Sequence, residues 1–122
     1  MATRGWQDVT LGAIASKPSK YHNQHVTIDG ITFDSQREAA YWQGLKARAA
    51  AGEITELRYH VVFPLLCPIE DRALMVTTYE ADFTYREFGH LHVVDVKGHR
   101  TQMYLLKKRW LQLQEGLRIE EV

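Results

Sequence analysis

The residues Val93-Val94-Asp95-Val96-Lys97-Gly98 close a short apolar run with an acid and a lysine two positions apart. Side chains alternate along a strand with period two, so Asp95 and Lys97 are expected on one face of one strand. A carboxylate set among valines needs a cation or several hydrogen-bond donors to stay ionised, and packing alone gives no reason to place it there. Thirteen residues earlier Asp82 stands in Glu80-Ala81-Asp82-Phe83-Thr84, where alternation predicts a shared face with Glu80 and Thr84. Two strand carboxylates with a lysine beside one of them suit hydrolysis of a phosphodiester with Mg²⁺. In this reading Asp82, Asp95 and the backbone carbonyl of Val96 offer oxygen ligands, and water and substrate phosphate complete the coordination. Lys97 would orient or help to deprotonate the attacking water and stabilise charge on the phosphorus.

A third acid belongs to the element that precedes these strands. Ser35-Gln36-Arg37-Glu38 has the Ser-x-x-Glu pattern of a helix capping box, and the helix is expected to run to about Ala51 and stop at Gly52. Glu38, Trp42, Leu45 and Ala49 fall on one stripe, so the carboxylate heads an apolar face directed at the sheet. Glu at that capping position is also a purely local choice. Its chemical reading comes from the company of Asp82, Asp95 and Lys97.

The remaining elements follow from periodicity and breakers. Val26 to Phe33 reads as two short strands around Asp29-Gly30, a strong hairpin signal. Ile54 to Phe63 reads as a strand closed by Pro64, and residues 65–72, with Pro68 and Glu70-Asp71-Arg72, as a turn. Leu74 to Tyr85 and Leu91 to Lys97 are two further strands joined at Glu87-Phe88-Gly89. A helix from about Thr101 to Glu115 would turn Met103, Leu106, Trp110 and Leu113 toward the core. Gly116 ends it, and Leu117 to Val122 adds a last strand. Residues 1–24 show no sustained periodicity and form a polar N-terminal arm, leaving 25–122 as one mixed α/β domain.

Composition narrows the function classes. A chain of 122 residues holds a single core. No run approaches the roughly 18 apolar residues of a membrane helix, and the N-terminus lacks a secretory pattern, so a cytoplasmic protein is expected. Cys67 is the only cysteine, which excludes an intramolecular disulfide and a thiolate-rich zinc site. The pairs His22/His25 and His90/His92 lack zinc-type spacing and read as surface or turn residues. Net charge is zero, yet Lys107-Lys108-Arg109, with Arg100 and Lys97, supplies local positive charge. Alone, such a cluster is an ordinary solvated helix face.

The set Glu38, Ala81-Asp82-Phe83 and Asp95-Val96-Lys97 resembles the PD-(D/E)XK nuclease superfamily, with Ala81 where the motif's name has proline. From Ile31 to Val122 the chain is similar to a phage-encoded family within it, domain of unknown function 1064. That similarity rests on Phe33-Asp34-Ser35-Gln36-Arg37-Glu38-Ala39, Ala51-Gly52-Glu53-Ile54, Ala81-Asp82-Phe83 and Asp95-Val96-Lys97-Gly98, and extends through Thr101 and the segment Tyr104 to Arg109. The resemblance implies a restriction-endonuclease-like core, a mixed β-sheet flanked by helices. It implies Mg²⁺ or Mn²⁺ held by Glu38, Asp82, Asp95 and Val96, with Lys97 completing the catalytic set. Arg100, Thr101, Lys107, Lys108 and Arg109 are then the expected DNA contacts. The implied activity is a DNA endonuclease selective for branched or junction DNA, in phage recombination or replication within a bacterial host. The alternative is a nuclease-fold module that binds nucleic acid or a replication protein without cutting. Two symmetric strands at a four-way junction would require a homodimer, with Trp6, Leu11, Tyr104 and Leu105 as its apolar material.

Overall fold

A computed structural model describes residues 25–97 and 99–122. The polar arm, with Trp6, Leu11 and His22, lies outside them, as does Gly98. The chain forms two compact units, Met1–Ala39 and Ala40–Val122.

In the first unit β1 (Val26–Ile28) and β2 (Ile31–Phe33) pair as an antiparallel hairpin. Its turn residues Asp29 and Gly30 both take positive φ, 55° and 78°, as the Asp-Gly signal predicts for a type I′ turn. Helix α1 (Gln36–Ala50) starts there, and the Ser35 hydroxyl accepts a hydrogen bond from the Glu38 amide at 3.1 Å. The cap is therefore the one the sequence signals. Gly52, at φ 79°, ends the helix in the left-handed conformation.

The second unit carries the continuation of α1, then β3 (Thr55–Ile69), β4 (Arg72–Glu87), β5 (His90–Asp95), helix α2 (Gln102–Glu115) and β6 (Ile119–Glu121). The sheet order is β3-β4-β5-β6, antiparallel except for the parallel β5–β6 pair. The fold is thus mixed α/β, consistent with a restriction-endonuclease-like core. The strand–helix–strand order of β5, α2 and β6 accounts for the parallel pair, since a parallel neighbour requires a crossover.

Two expectations need correction. Pro64 does not close β3, and residues 65–69 are strand instead of turn; the reversal is confined to Glu70-Asp71. Both prolines are tolerated because β3 is a sheet edge, where a missing N–H costs nothing if it points outward. The neighbouring groups do point outward. Gln114 of α2 donates to the Pro64 carbonyl at 2.8 Å and accepts from the Leu66 amide at 2.8 Å, and the Trp110 indole donates to the Leu66 carbonyl at 3.0 Å. Side chains of a helix thereby cover the strand edge. The second correction concerns α2, where Met103, Leu106 and Leu113 are exposed and Leu111 is fully buried. The helix meets the sheet through Leu111 and Tyr104, beside Leu65, Tyr79, Ala81, Val93 and Ile119. Burying a side chain such as Leu111 contributes about 1.5–3 kcal/mol, so this contact fixes the helix on the sheet.

Strict alternation also fails along β4. Tyr79 and Ala81 belong to the cluster under α2, whereas Phe83 stacks on Tyr41 and Trp42 of α1. Glu80 is exposed while Thr84 is buried, so the shared face expected for Glu80, Asp82 and Thr84 does not exist. The change falls at Asp82. Opposite it, between the pairs Tyr59–Phe83 and Val61–Ala81, His60 is forced to φ 50°. A local irregularity of this kind re-aims side chains, and such features concentrate next to functional sites.

Candidate metal and phosphodiester site

Asp82 and Asp95 meet where the β4–β5 ladder ends. Its innermost pair is Phe83–Val94, and one step further the two aspartates face each other. Here side chains replace the backbone ladder. The Asp82 amide donates to Asp95 Oδ1 at 3.4 Å, and the Val96 amide donates to Asp82 Oδ2 at 2.7 Å. Each carboxylate thus leans on the other strand's backbone. Val96 enters through its amide, a contact that spacing alone does not reveal.

Asp95 is only 1 % exposed, and its Oδ2 is buried with no hydrogen-bond partner among the described residues. Burial raises the Asp95 carboxyl from its ordinary pKa, and the Lys97 ammonium and the Asp82 amide oppose that shift. Lys97 is close enough to act on Asp95, and its ammonium lies 4.1 Å from the centre of the Tyr104 ring. That distance fits a cation–π contact. The expected trio of Asp82, Asp95 and Lys97 is assembled. Glu38 stands in the other compact unit, at the third position of α1, with its side chain only 7 % exposed.

The donor set can be tested against a divalent cation. Two carboxylates with a buried, unsatisfied oxygen are the chemistry a hard cation requires. Among the described residues no three His, Cys, Asp or Glu side chains gather as a metal-binding group. Two carboxylates alone are a donor set that an ion such as Mg²⁺ can use, since it takes one or two carboxylates and leaves other positions to water and phosphate. Mn²⁺ suits the same oxygen donors.

The basic residues expected to contact DNA are distributed differently from one patch. Thr101 is the N-cap of α2, its hydroxyl accepting from the Tyr104 amide at 3.0 Å. Arg100 and Lys108 both bind Glu121 of β6, at 2.6 and 3.0 Å, and the Tyr104 hydroxyl donates to the same carboxylate at 2.7 Å. Arg100 chiefly, then Tyr104 and Lys108, hold the Glu121 carboxyl down to about 2. Burial first, then that hydrogen bond, pushes the Tyr104 phenol up. Lys107 is half-buried, and Arg109 is exposed beside Trp110. Successive residues of a helix point about 100° apart, so a run of three cations cannot share one direction.

Tyr104 and Glu121 border the site and escape sequence reasoning. The one available signal was the strand–helix–strand order, which makes β6 a parallel neighbour of β5 and sets Glu121 beside Asp95. His92 was read as a surface or turn residue. It is half-buried, stacked on Tyr85 at 4.9 Å and paired through Nδ1 with Glu120 at 2.6 Å.

Among the described residues no helix is long and apolar enough to cross a membrane. No curated protein and no solved structure matches the chain. A family model matches residues 18–119, most of the sequence and all of the strands that bear Asp82 and Asp95, and on that match the chain belongs to the family described as "Protein of unknown function (DUF1064)".

Proposed function

We propose that this protein is a metal-dependent DNA endonuclease that hydrolyses phosphodiester bonds, selective for branched or junction DNA. The observation that carries the reading is the end of the β4–β5 ladder, where the Asp82 amide donates to Asp95, the Val96 amide donates to Asp82, and Asp95 keeps a buried oxygen without a partner among the described residues beside Lys97. Asp82 and Asp95 would hold Mg²⁺ or Mn²⁺. When bound, such an ion neutralises charge on the scissile phosphate and acidifies water.

The chain's own groups supply the rest. The Asp82 and Val96 amides, donating to Asp95 and Asp82 respectively, fix both carboxylates in orientation, so little reorganisation accompanies substrate binding. Lys97 presents a fixed positive charge near the reacting phosphate and stabilises the negative charge that develops on its oxygens. The Tyr104 ring limits the directions that ammonium takes. Selectivity for branched DNA rests on the superfamily resemblance of the sequence motifs and is the finer part of the proposal.

Nicking of supercoiled plasmid with and without Mg²⁺ tests the activity, with Asp95→Asn as the control. A panel of duplex, flap, three-way and four-way substrates tests the selectivity. Metal-dependent nicking lost in Asp95→Asn supports the reading. Binding of the panel with no cutting by the wild type would replace it with a binding module.

A further inference from the structure

Helix α2 carries two apolar stripes, and the sheet uses only one. Tyr104 and Leu111 pack inward, while Met103, Leu106 and Leu113 stand 54 %, 57 % and 78 % exposed. Beside this outer stripe runs the far part of the β3–β4 hairpin. β5 pairs with β4 only from Phe83 to Glu87, so the hairpin beyond is a ribbon of two strands. Every residue from Cys67 to Val76 is exposed, including Ile69, Leu74, Met75 and Val76. A two-stranded ribbon has marginal stability in water by itself, and this one shows apolar groups on both faces. Between ribbon and helix lies a groove of about 630 Å³, lined by Leu66, Pro68, Ala73, Leu106, Trp110 and Leu113.

The same unit therefore bears an apolar ridge and an adjoining apolar groove. We infer that this face is a self-association surface, in which the β3–β4 ribbon of each copy lies in the groove of a second copy about a two-fold axis. Two observations favour a second copy as occupant. Ile69, Leu74, Met75, Val76, Leu106 and Leu113, between 41 % and 78 % exposed, supply the large apolar side chains that the core of a standard half-interface of about 800 Å² is built from. The charges at the two ends are also complementary. Glu70 and Asp71 form the exposed turn of the ribbon, and exposed Arg109 lines the groove, so the acids of one copy meet a cation of the other. A two-fold arrangement satisfies both grooves at once and closes the assembly. The inference is independent of the nuclease reading, since it uses neither Asp82 nor Asp95.

Sedimentation velocity of the full chain from about 1 to 100 µM tests it. A monomer–dimer equilibrium is expected. Met75→Glu and Leu113→Glu should each raise the dimer Kd at least tenfold, with circular dichroism and melting temperature showing that the fold is kept. Arg109→Glu, an exposed position that cannot unfold the core, should weaken the dimer several-fold. Adding Glu70→Arg and Asp71→Arg to it should restore association. A monomer at every concentration overturns the inference. So does a dimer indifferent to all these changes, or an open-ended series of oligomers.

Discussion

Asp95 and Glu121 are register partners on neighbouring parallel strands, and the protein treats them in opposite ways. Glu121 receives Arg100, Tyr104 and Lys108 and is held ionised far below its ordinary pKa, to about 2. Asp95 receives one long hydrogen bond, keeps a buried oxygen without a partner among the described residues, and is shifted upward by burial. Both carboxylates lie at the same end of the same sheet, so location does not separate them. The donors do. Glu121 is complete within the protein, and its network ties α2 to β6. Asp95 is incomplete, and an incomplete buried carboxylate costs stability unless something from outside completes it. An acid satisfied within the fold and an acid left with an open oxygen are thus distinguished by their partners.

The comparison breaks most sharply on Asp95→Asn. Cleavage should fall at least about a thousandfold, because a neutral amide replaces a charged oxygen at the proposed cation. The melting temperature without metal should hold or rise, since the substitution removes a buried charge with too few donors. Asp82→Asn should also abolish cleavage and leave the fold intact. Near wild-type cutting by either variant would end the metal-site assignment. Mn²⁺ should raise the melting temperature of the wild type and leave that of Asp95→Asn unchanged.

Lys97→Ala comes next. Nicking should slow by about 10²–10³-fold while calorimetric Mn²⁺ affinity stays within a few-fold, because Lys97 acts on developing charge and not as a ligand. An equal loss of metal affinity and rate would make Lys97 a support for the carboxylates instead.

Much of this architecture was legible in the sequence, and the exceptions share a physical origin. The Asp29-Gly30 turn and the Ser35 cap depend on local chemistry, which a sequence displays directly. The outward stripe of α2 was misassigned because two apolar stripes exist on that helix and only tertiary packing chooses between them. Pro64 and Pro68 read as strand breakers, since nothing local reveals that β3 is an edge with Gln114 and Trp110 covering it. Tyr104 was assigned to a dimer interface, although its ring meets Lys97 and its hydroxyl meets Glu121 within the chain. Of the site, Asp82 and Asp95 meet and Lys97 acts electrostatically on Asp95, although β5 ends at Asp95 and Lys97 lies beyond the strand it was read into. The hydrogen bonds that hold them follow from the end of a ladder, and no spacing rule encodes that.

On the other side of the comparison, Glu121→Gln should leave the rate within a few-fold and lower stability. The expected loss is about 1 kcal/mol, because partial exposure screens the ion pairs and the remaining amide still accepts hydrogen bonds. A rate loss as large as that of Asp95→Asn would erase the distinction between the two acids.

The smallest effect is the pH dependence of that same network. The folded pKa of Glu121, about 2, lies below its ordinary value of 4.5, so the folded state binds fewer protons at this group than the unfolded state. Its stabilising contribution is then fully present above pH 4.5 and is lost as pH falls toward 2. Asp95 has the opposite sign, since its raised pKa makes ionisation unfavourable to the fold and acidification relieves that cost. The two contributions partly offset each other in the wild type. Urea unfolding midpoints between pH 5 and pH 3 should therefore fall more steeply in Asp95→Asn, where the relieving group is gone, than in the wild type. They should fall least in Glu121→Gln, where the acid-sensitive pair is gone. Parallel slopes in all three proteins would mean that the two carboxylates share one electrostatic environment, and the contrast between them would not hold.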